Sequence, residues 1–245
     1  LEIAGERSAG AVQLLDKRWR RRAVGVVSGA TSDTAQPLLA ANFYLARALS
    51  PFADVRLGDR GAPQQAIGQF LDQKLPMIVM ADVGTLSPEI RERLNGWIEQ
   101  GGVLVRFAGP RLAQADDDLV PVKLRRGGRV LGGSLTWEKP QHLSTFAADG
   151  PFSGLAVPKD ITINRQVLAE PDAALAAKSW AVLEDGTPLV TGDEVHGQRT
   201  GGTMVQRIAA RDTVFEDAFL SREFGQCRLL RTAFDGAGRR LQPGE

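Results

Sequence analysis

The sequence predicts an α/β protein: an open parallel sheet joined to a β-rich second half. Three observations carry this expectation. The stretch from Pro76 to Pro110 reads as strand, helix, strand. Two strand-helix units precede it. After Pro110 the helical periodicity gives way to short runs separated by Gly- and Pro-bearing turns.

Residues 1–22 form a basic lead-in ending in Lys17-Arg-Trp-Arg-Arg-Arg22. Such a run with an aromatic anchor can touch a membrane surface or nucleic acid. A solvated approach to the first strand is the simpler reading. Thirty basic and 29 acidic side chains leave a formal charge of +1, so no global field draws nucleic acid or anionic lipid.

The α/β core is expected over residues 23–115. Ala23–Val27 suits a buried strand, followed by the small polar loop Ser28–Thr34 and a helix over Pro37–Leu49 with Leu38, Leu39, Phe43, Leu45, Ala46 and Leu49 largely on one side. A strand over Asp54–Leu57 and a helix over Ala62–Gln73 follow. Met77–Ala81 is a continuous apolar run, which suits a strand covered on both faces, and it ends at Asp82.

Ser87 is placed to cap the next helix, with Pro88 at its first position and Glu89 in its first turn. Ile90, Leu94, Trp97 and Ile98 fall on one face. Gly101 and Gly102 end the helix, and Val103–Phe107 is the next strand. Open parallel sheets bind ligands at the carboxyl ends of their strands. That rule singles out Asp82 and the Phe107-Ala108-Gly109 turn.

The β-rich half is expected over residues 116–192. Its short runs are Val120–Leu124, Arg129–Leu131, Ser134–Trp137, Ile161–Ile163 with Gln166–Leu168, Ser179–Leu183 and Pro188–Thr191. Asp185-Gly186 suits a tight hairpin turn. Residues 193–245 are poorly defined, with a weak strand over Thr203–Ile208, a helix over Phe215–Leu230 and a disordered tail over Gly236–Glu245.

Forty-three per cent hydrophobic residues suffice for a real core, and no run approaches the ~18 apolar residues of a membrane span. One cysteine, Cys227, excludes an internal disulfide and a cysteine-rich zinc site. The chain begins at Leu1 without methionine, so it reads as a piece of something longer.

Several residues have chemistry to offer. Ser28, Thr31 and Ser32 lie in a loop leading into a helix, where hydroxyls and backbone N–H groups can hold an anion. The loop lacks the Gly-x-x-x-x-Gly-Lys phosphate pattern, and a plain capping loop is the bland alternative. Asp82 could orient a ligand or bind a metal, or simply cap the Gly84-Thr85 turn. The run Asp116–Asp118 could bind a hard cation, yet it lacks the spaced oxygens of a calcium loop and reads as a solvated turn. Arg106 sits among apolar neighbours in a strand, so its charge must reach a partner or the sheet edge. His142 and His196 read as surface histidines, Cys227 as an incidental thiol, and Trp19, Trp97, Trp137 and Trp180 as core or interface aromatics. No metal site or cofactor is expected.

The order of strand, small-residue loop, helix, strand with terminal Asp, helix, Gly-Gly and strand resembles the flavodoxin-like class I glutamine amidotransferase-like fold. More specific blocks are Arg22-Ala-Val-Gly-Val26, Leu104-Val-Arg-Phe-Ala-Gly-Pro-Arg-Leu112, Asp117-Asp-Leu-Val-Pro-Val122, Leu131-Gly-Gly-Ser-Leu-Thr-Trp-Glu138, Pro151-Phe-Ser-Gly-Leu155, Gln166-Val-Leu-Ala-Glu-Pro171 and Asp185-Gly-Thr-Pro-Leu-Val190. They resemble the amidotransferase-like domain of large membrane-anchored alphaproteobacterial proteins. Those proteins carry an aerotolerance-regulator-type double-transmembrane segment before the domain and a domain of unknown function after it. The resemblance covers roughly residues 10–192 and fades beyond them, where Met204-Val-Gln-Arg-Ile208 and Phe219-Leu-Ser-Arg-Glu-Phe224 stand.

Working amidotransferases place a nucleophilic cysteine at the turn after the strand matched by Val103–Phe107. The resemblance therefore puts Ala108 at the nucleophile position, and a methyl group cannot form a thioester. It implies a non-catalytic interaction or ligand-sensing domain, tethered to the inner membrane by segments outside this chain and lying in the periplasm. Its partners would be other domains of the same protein or envelope proteins, with no nucleic acid. The competing expectation is a hydrolase, or a domain binding an anion, sugar or nucleotide, built on Asp82, Arg106 and the Ser28–Thr34 loop.

Overall fold

A computed structural model describes residues 21–29, 41–58, 62–115, 117–125, 134–146, 148, 151–193 and 207–211. The parallel half alternates β1 (Arg22–Ser28), α1 (Ala41–Leu49), β2 (Ala53–Leu57), α2 (Pro63–Asp72), β3 (Met77–Ala81), α3 (Pro88–Glu99), β4 (Val103–Ala108) and the short α4 (Pro110–Gln114). Each expected element of this half is present. The expected helix over Pro37–Leu49 is described from Ala41 onward.

The second half contains β5 (Ser134–His142), β6 (Thr162–Val167), α5 (Leu175–Lys178), β7 (Ser179–Val182), β8 (Pro188–Asp193) and β9 (Arg207–Arg211). The weak strand expected over Thr203–Ile208 is described at Arg207–Arg211, where pairing with β4 sets its place. The expected run Arg129–Leu131, the helix over Phe215–Leu230 and the tail lie outside the described residues.

Seven strands form one sheet in the order β2-β1-β3-β4-β9-β8-β7, and β5 and β6 form a separate antiparallel pair. β1, β2, β3, β4 and β9 run parallel, while β8 and β7 extend the sheet antiparallel. Taken in chain order, the parallel strands stand 2-1-3-4-5, the flavodoxin-like arrangement. The fold is thus an α/β flavodoxin-like open sheet with a β-rich second half.

Side chains alternate across the strands, so each strand feeds two cores. On one face Val27, Ile78, Met80 and Leu104 meet Ile67 and Phe70 of α2 and Ile90, Leu94 and Ile98 of α3. On the other, Val26, Val79, Val105 and Phe107 meet Leu45 and Leu49 of α1. Ser87 caps α3 as expected, accepting a hydrogen bond from the Ile90 N–H at 3.3 Å. Gly101 closes it at φ +96°, with its N–H donating to the Ile98 carbonyl at 2.8 Å. Among the described residues, no helix is long and apolar enough to cross a membrane.

Candidate functional site

The strand order reverses between β1 and β3, so the crevice of this fold falls at their carboxyl ends. Ser28 ends β1, half-buried and paired in register with Ala81. The Gly29 N–H donates to the Ala81 carbonyl at 2.8 Å. A Cβ on Gly29 would stand 2.1 Å from the Asp82 carbonyl oxygen, so the two loops meet backbone to backbone. Thr31 and Ser32 lie outside the described residues.

Asp82 turns the chain at φ +46°, a left-handed conformation that Asp tolerates better than most residues. Its N–H donates to the Phe107 carbonyl at 2.9 Å. Its Oδ1 accepts from the Arg111 N–H at 2.9 Å and the Leu112 N–H at 3.0 Å, and Oδ2 lies 3.6 Å from the Arg111 guanidinium. Asp82 therefore caps α4 from a neighbouring strand, where the sequence suggested the local Gly84-Thr85 turn. Pro110 gives α4 no N–H at its first position, and the next two donors are the ones the carboxylate takes. Burial pushes the Asp82 carboxyl above its ordinary range. The Leu112 N–H, the Arg111 charge and the Arg111 and Gly109 N–H groups offset that only in part.

Arg106 is completely buried. Nη1 donates to Asp117 Oδ2 at 2.6 Å and Nη2 to the Val83 carbonyl at 2.7 Å, while Nε has no hydrogen-bond partner among the described residues. The Asp117 side chain is 3% exposed, and its Oδ1 accepts from the Leu119 N–H at 2.8 Å. The solvated-turn reading of this run is corrected at Asp117 alone, which is the buried counter-charge that Arg106 required; Asp116 lies outside the described residues. The signal was available, because Asp116–Asp118 is the first acidic run after β4. Asp118, 66% exposed, lies 3.8 Å from Arg91. Among the described residues, no group of three or more His, Cys, Asp or Glu could hold a metal ion.

Ala108 is also completely buried. It packs in a cluster with Leu112 and Ala113 of α4, Leu124 and Val167 of β6, with Val120 at the margin. Ala108 and Arg106 share one face of β4, two residues apart. The β-rich half thus covers the end of β4 with aliphatic side chains. Trp97 and Trp180 pack against the cores as expected, and the Trp97 indole donates to the Leu75 carbonyl at 2.9 Å. His142 ends β5; His196 and Cys227 lie outside the described residues.

No family model matches this sequence. No curated protein matches it either. Several solved structures resemble it in shape. A cytoplasmic protein from Salmonella typhimurium aligns at 11% identity and TM-score 0.48, over 84% of this chain and 92% of its own. A ThuA-like protein from Bacteroides uniformis aligns at 14% identity and TM-score 0.46, over 89% and 94%. A β-galactosidase from Halorubrum lacusprofundi aligns at 14% identity and TM-score 0.49, over 91% of this chain but 31% of the enzyme. At these values the likenesses carry no functional argument, and the fold rests on the strand order itself.

Proposed function

We propose that this chain is a non-catalytic amidotransferase-like domain, an interaction or ligand-sensing module of a larger membrane-anchored envelope protein. The observation that carries the first part is Ala108. The residue standing at the nucleophile position by resemblance has no nucleophilic atom, is fully buried and is packed in aliphatic side chains. The direct test is hydrolysis of glutamine and of activated esters by the purified chain and by Cys227→Ala. Background rates from both are expected. Turnover that survives the substitution removes the reading.

Anchoring and a periplasmic location rest on the sequence blocks quoted above. An alkaline phosphatase fused after this domain in the full-length protein should be active in cells. An inactive fusion at normal expression overturns the location.

One observation favours a second reading, a hydrolase or small-molecule-binding domain. Asp82 combines a strand-end position, a left-handed backbone and a carboxyl pushed up by burial, and such features gather at functional sites. Asp82→Asn keeps an oxygen for the α4 cap and removes the charge. Loss of a measured turnover with an unchanged melting temperature would favour this reading over the first.

A further inference from the structure

Residues 117–125 cross the end of the sheet as a strap. Among the described residues, their one ladder contact is an isolated bridge from Leu124 to Ala169. Leu119 is fully buried in the core beneath α2 and α3, while Val120 and Leu124 join the cluster around Ala108. The far end is fixed by backbone. The Arg125 N–H donates to the Leu168 carbonyl and the Glu170 N–H to the Lys123 carbonyl, each at 2.8 Å. Buried Val122 and Leu124 alternate there with exposed Lys123 and Arg125, so a one-residue slip would bury a cation.

The near end has no such alternation. Leu119, Val120, Pro121 and Val122 are consecutive and all at least partly buried. Leu119 and Val120 differ by one methylene, so packing alone discriminates weakly between them. The ionic contact also has a neighbouring alternative, because Asp118 follows Asp117 directly. If Asp118 took Arg106, Val120 would move into the place of Leu119. The present alignment is instead favoured by two contacts of Asp117 together: Oδ2 on Arg106 and Oδ1 on the Leu119 N–H.

We propose that the Arg106–Asp117 pair is a register lock. It selects Leu119 over Val120 for the core and so holds the strap closed over Ala108. The lock does not depend on the functional reading above. A buried ion pair contributes little net stability against an apolar replacement, and fixing one arrangement among near-equal ones is its best-attested use.

The test is a double-mutant cycle of Asp117→Asn and Asp118→Asn, read by melting temperature and by the amide resonances of residues 117–122. Asp118→Asn alone should change little. Asp117→Asn should split or broaden those resonances as Asp118 competes for Arg106. The double variant should lose more melting temperature than the two singles summed, because the substitute partner is gone. One sharp, unshifted set in Asp117→Asn, or strict additivity, overturns the lock. If Asp117→Asn does not fold, the apolar pair Arg106→Met with Asp117→Leu replaces it. Multiple strap resonances in that folded variant support the lock, and a single set overturns it.

Discussion

β4 buries all six of its residues, whereas β7, at the far edge of the same sheet, buries only Ala181 of its four. The pairings of β4 with β3 and β9 run in unbroken register, while β7 meets β8 with register shifts on both sides of Ala181. Where helices cover both faces, apolar layers do most of the fixing, with the Arg106–Asp117 pair as the one buried charge contact in β4 among the described residues. Where cover is partial, polar clasps contribute. The Trp137 indole donates to Asp185 at 2.9 Å, Lys178 reaches Asp193 at 2.8 Å and the Pro121 carbonyl at 3.0 Å, and Gln166 reaches the Pro188 carbonyl at 3.3 Å. The parallel half should therefore be most sensitive to buried truncation or buried charge, and loss of a single clasp in the second half should cost less.

The sharpest way to break the parallel half is Arg106→Ala, which strands the Asp117 carboxylate in the interior. A loss of about 3–5 kcal/mol is expected, read as a melting-temperature drop of roughly 6–20 °C. Leu104→Ala, at a fully buried position in the same strand, should cost about 2–5 kcal/mol in urea unfolding through its cavity. An unchanged midpoint in either variant would contradict the layered picture.

Asp82→Ala should cost about 1–2 kcal/mol by removing the α4 cap, while Asp82→Asn should lie within about 0.5 kcal/mol of the parent. The clasps should matter less. Trp137→Phe removes one exposed hydrogen bond, and about 0.5 kcal/mol is expected from chemical denaturation.

Acidity separates the two regions by sign. The folded-state value of Asp82 is raised, so its contribution is fully present below the ordinary value of 3.8 and is lost as pH rises through the elevated one. For Asp185, burial pushes upward, but hydrogen bonds from the Thr187 N–H and hydroxyl and from Trp137 outweigh it and hold the carboxyl below its ordinary range. Its contribution is present above 3.8 and is lost as pH falls through the lowered value. In urea midpoints followed against pH, Asp82→Asn should remove a fall on the alkaline side of 3.8 and Asp185→Asn a fall on the acid side. Identical profiles for parent and variants would erase the distinction.

The sequence made the parallel half legible because its signals are local. Met77–Ala81 is an unbroken apolar run, Ser87 caps a helix three residues away, and Gly101 closes the same helix. The candidate site is tertiary, and there local signals run out. Asp82 finds its partners at Arg111 and Leu112, and Arg106 finds Asp117. The sequence places Ala108 at a strand end, but its cover by Leu124 and Val167 depends on how the second half returns to the sheet. The end of β5 carries no local signal, since the strand runs on through Lys139 and Pro140 to His142 with a register shift between Thr136 and Gln141.

The position of β9 bears on how the protein is made. β4 ends at Ala108 and its outer neighbour β9 begins at Arg207, so about a hundred residues must be synthesised before that edge can be paired. At common translation speeds this leaves a bare strand edge for on the order of 5–20 s. During that interval the nascent chain presents an open row of backbone donors and acceptors to any other extended segment nearby. A ribosome paused between Ala108 and Arg207 would hold the molecule at its most adhesive stage, before its own late strand arrives to occupy the edge.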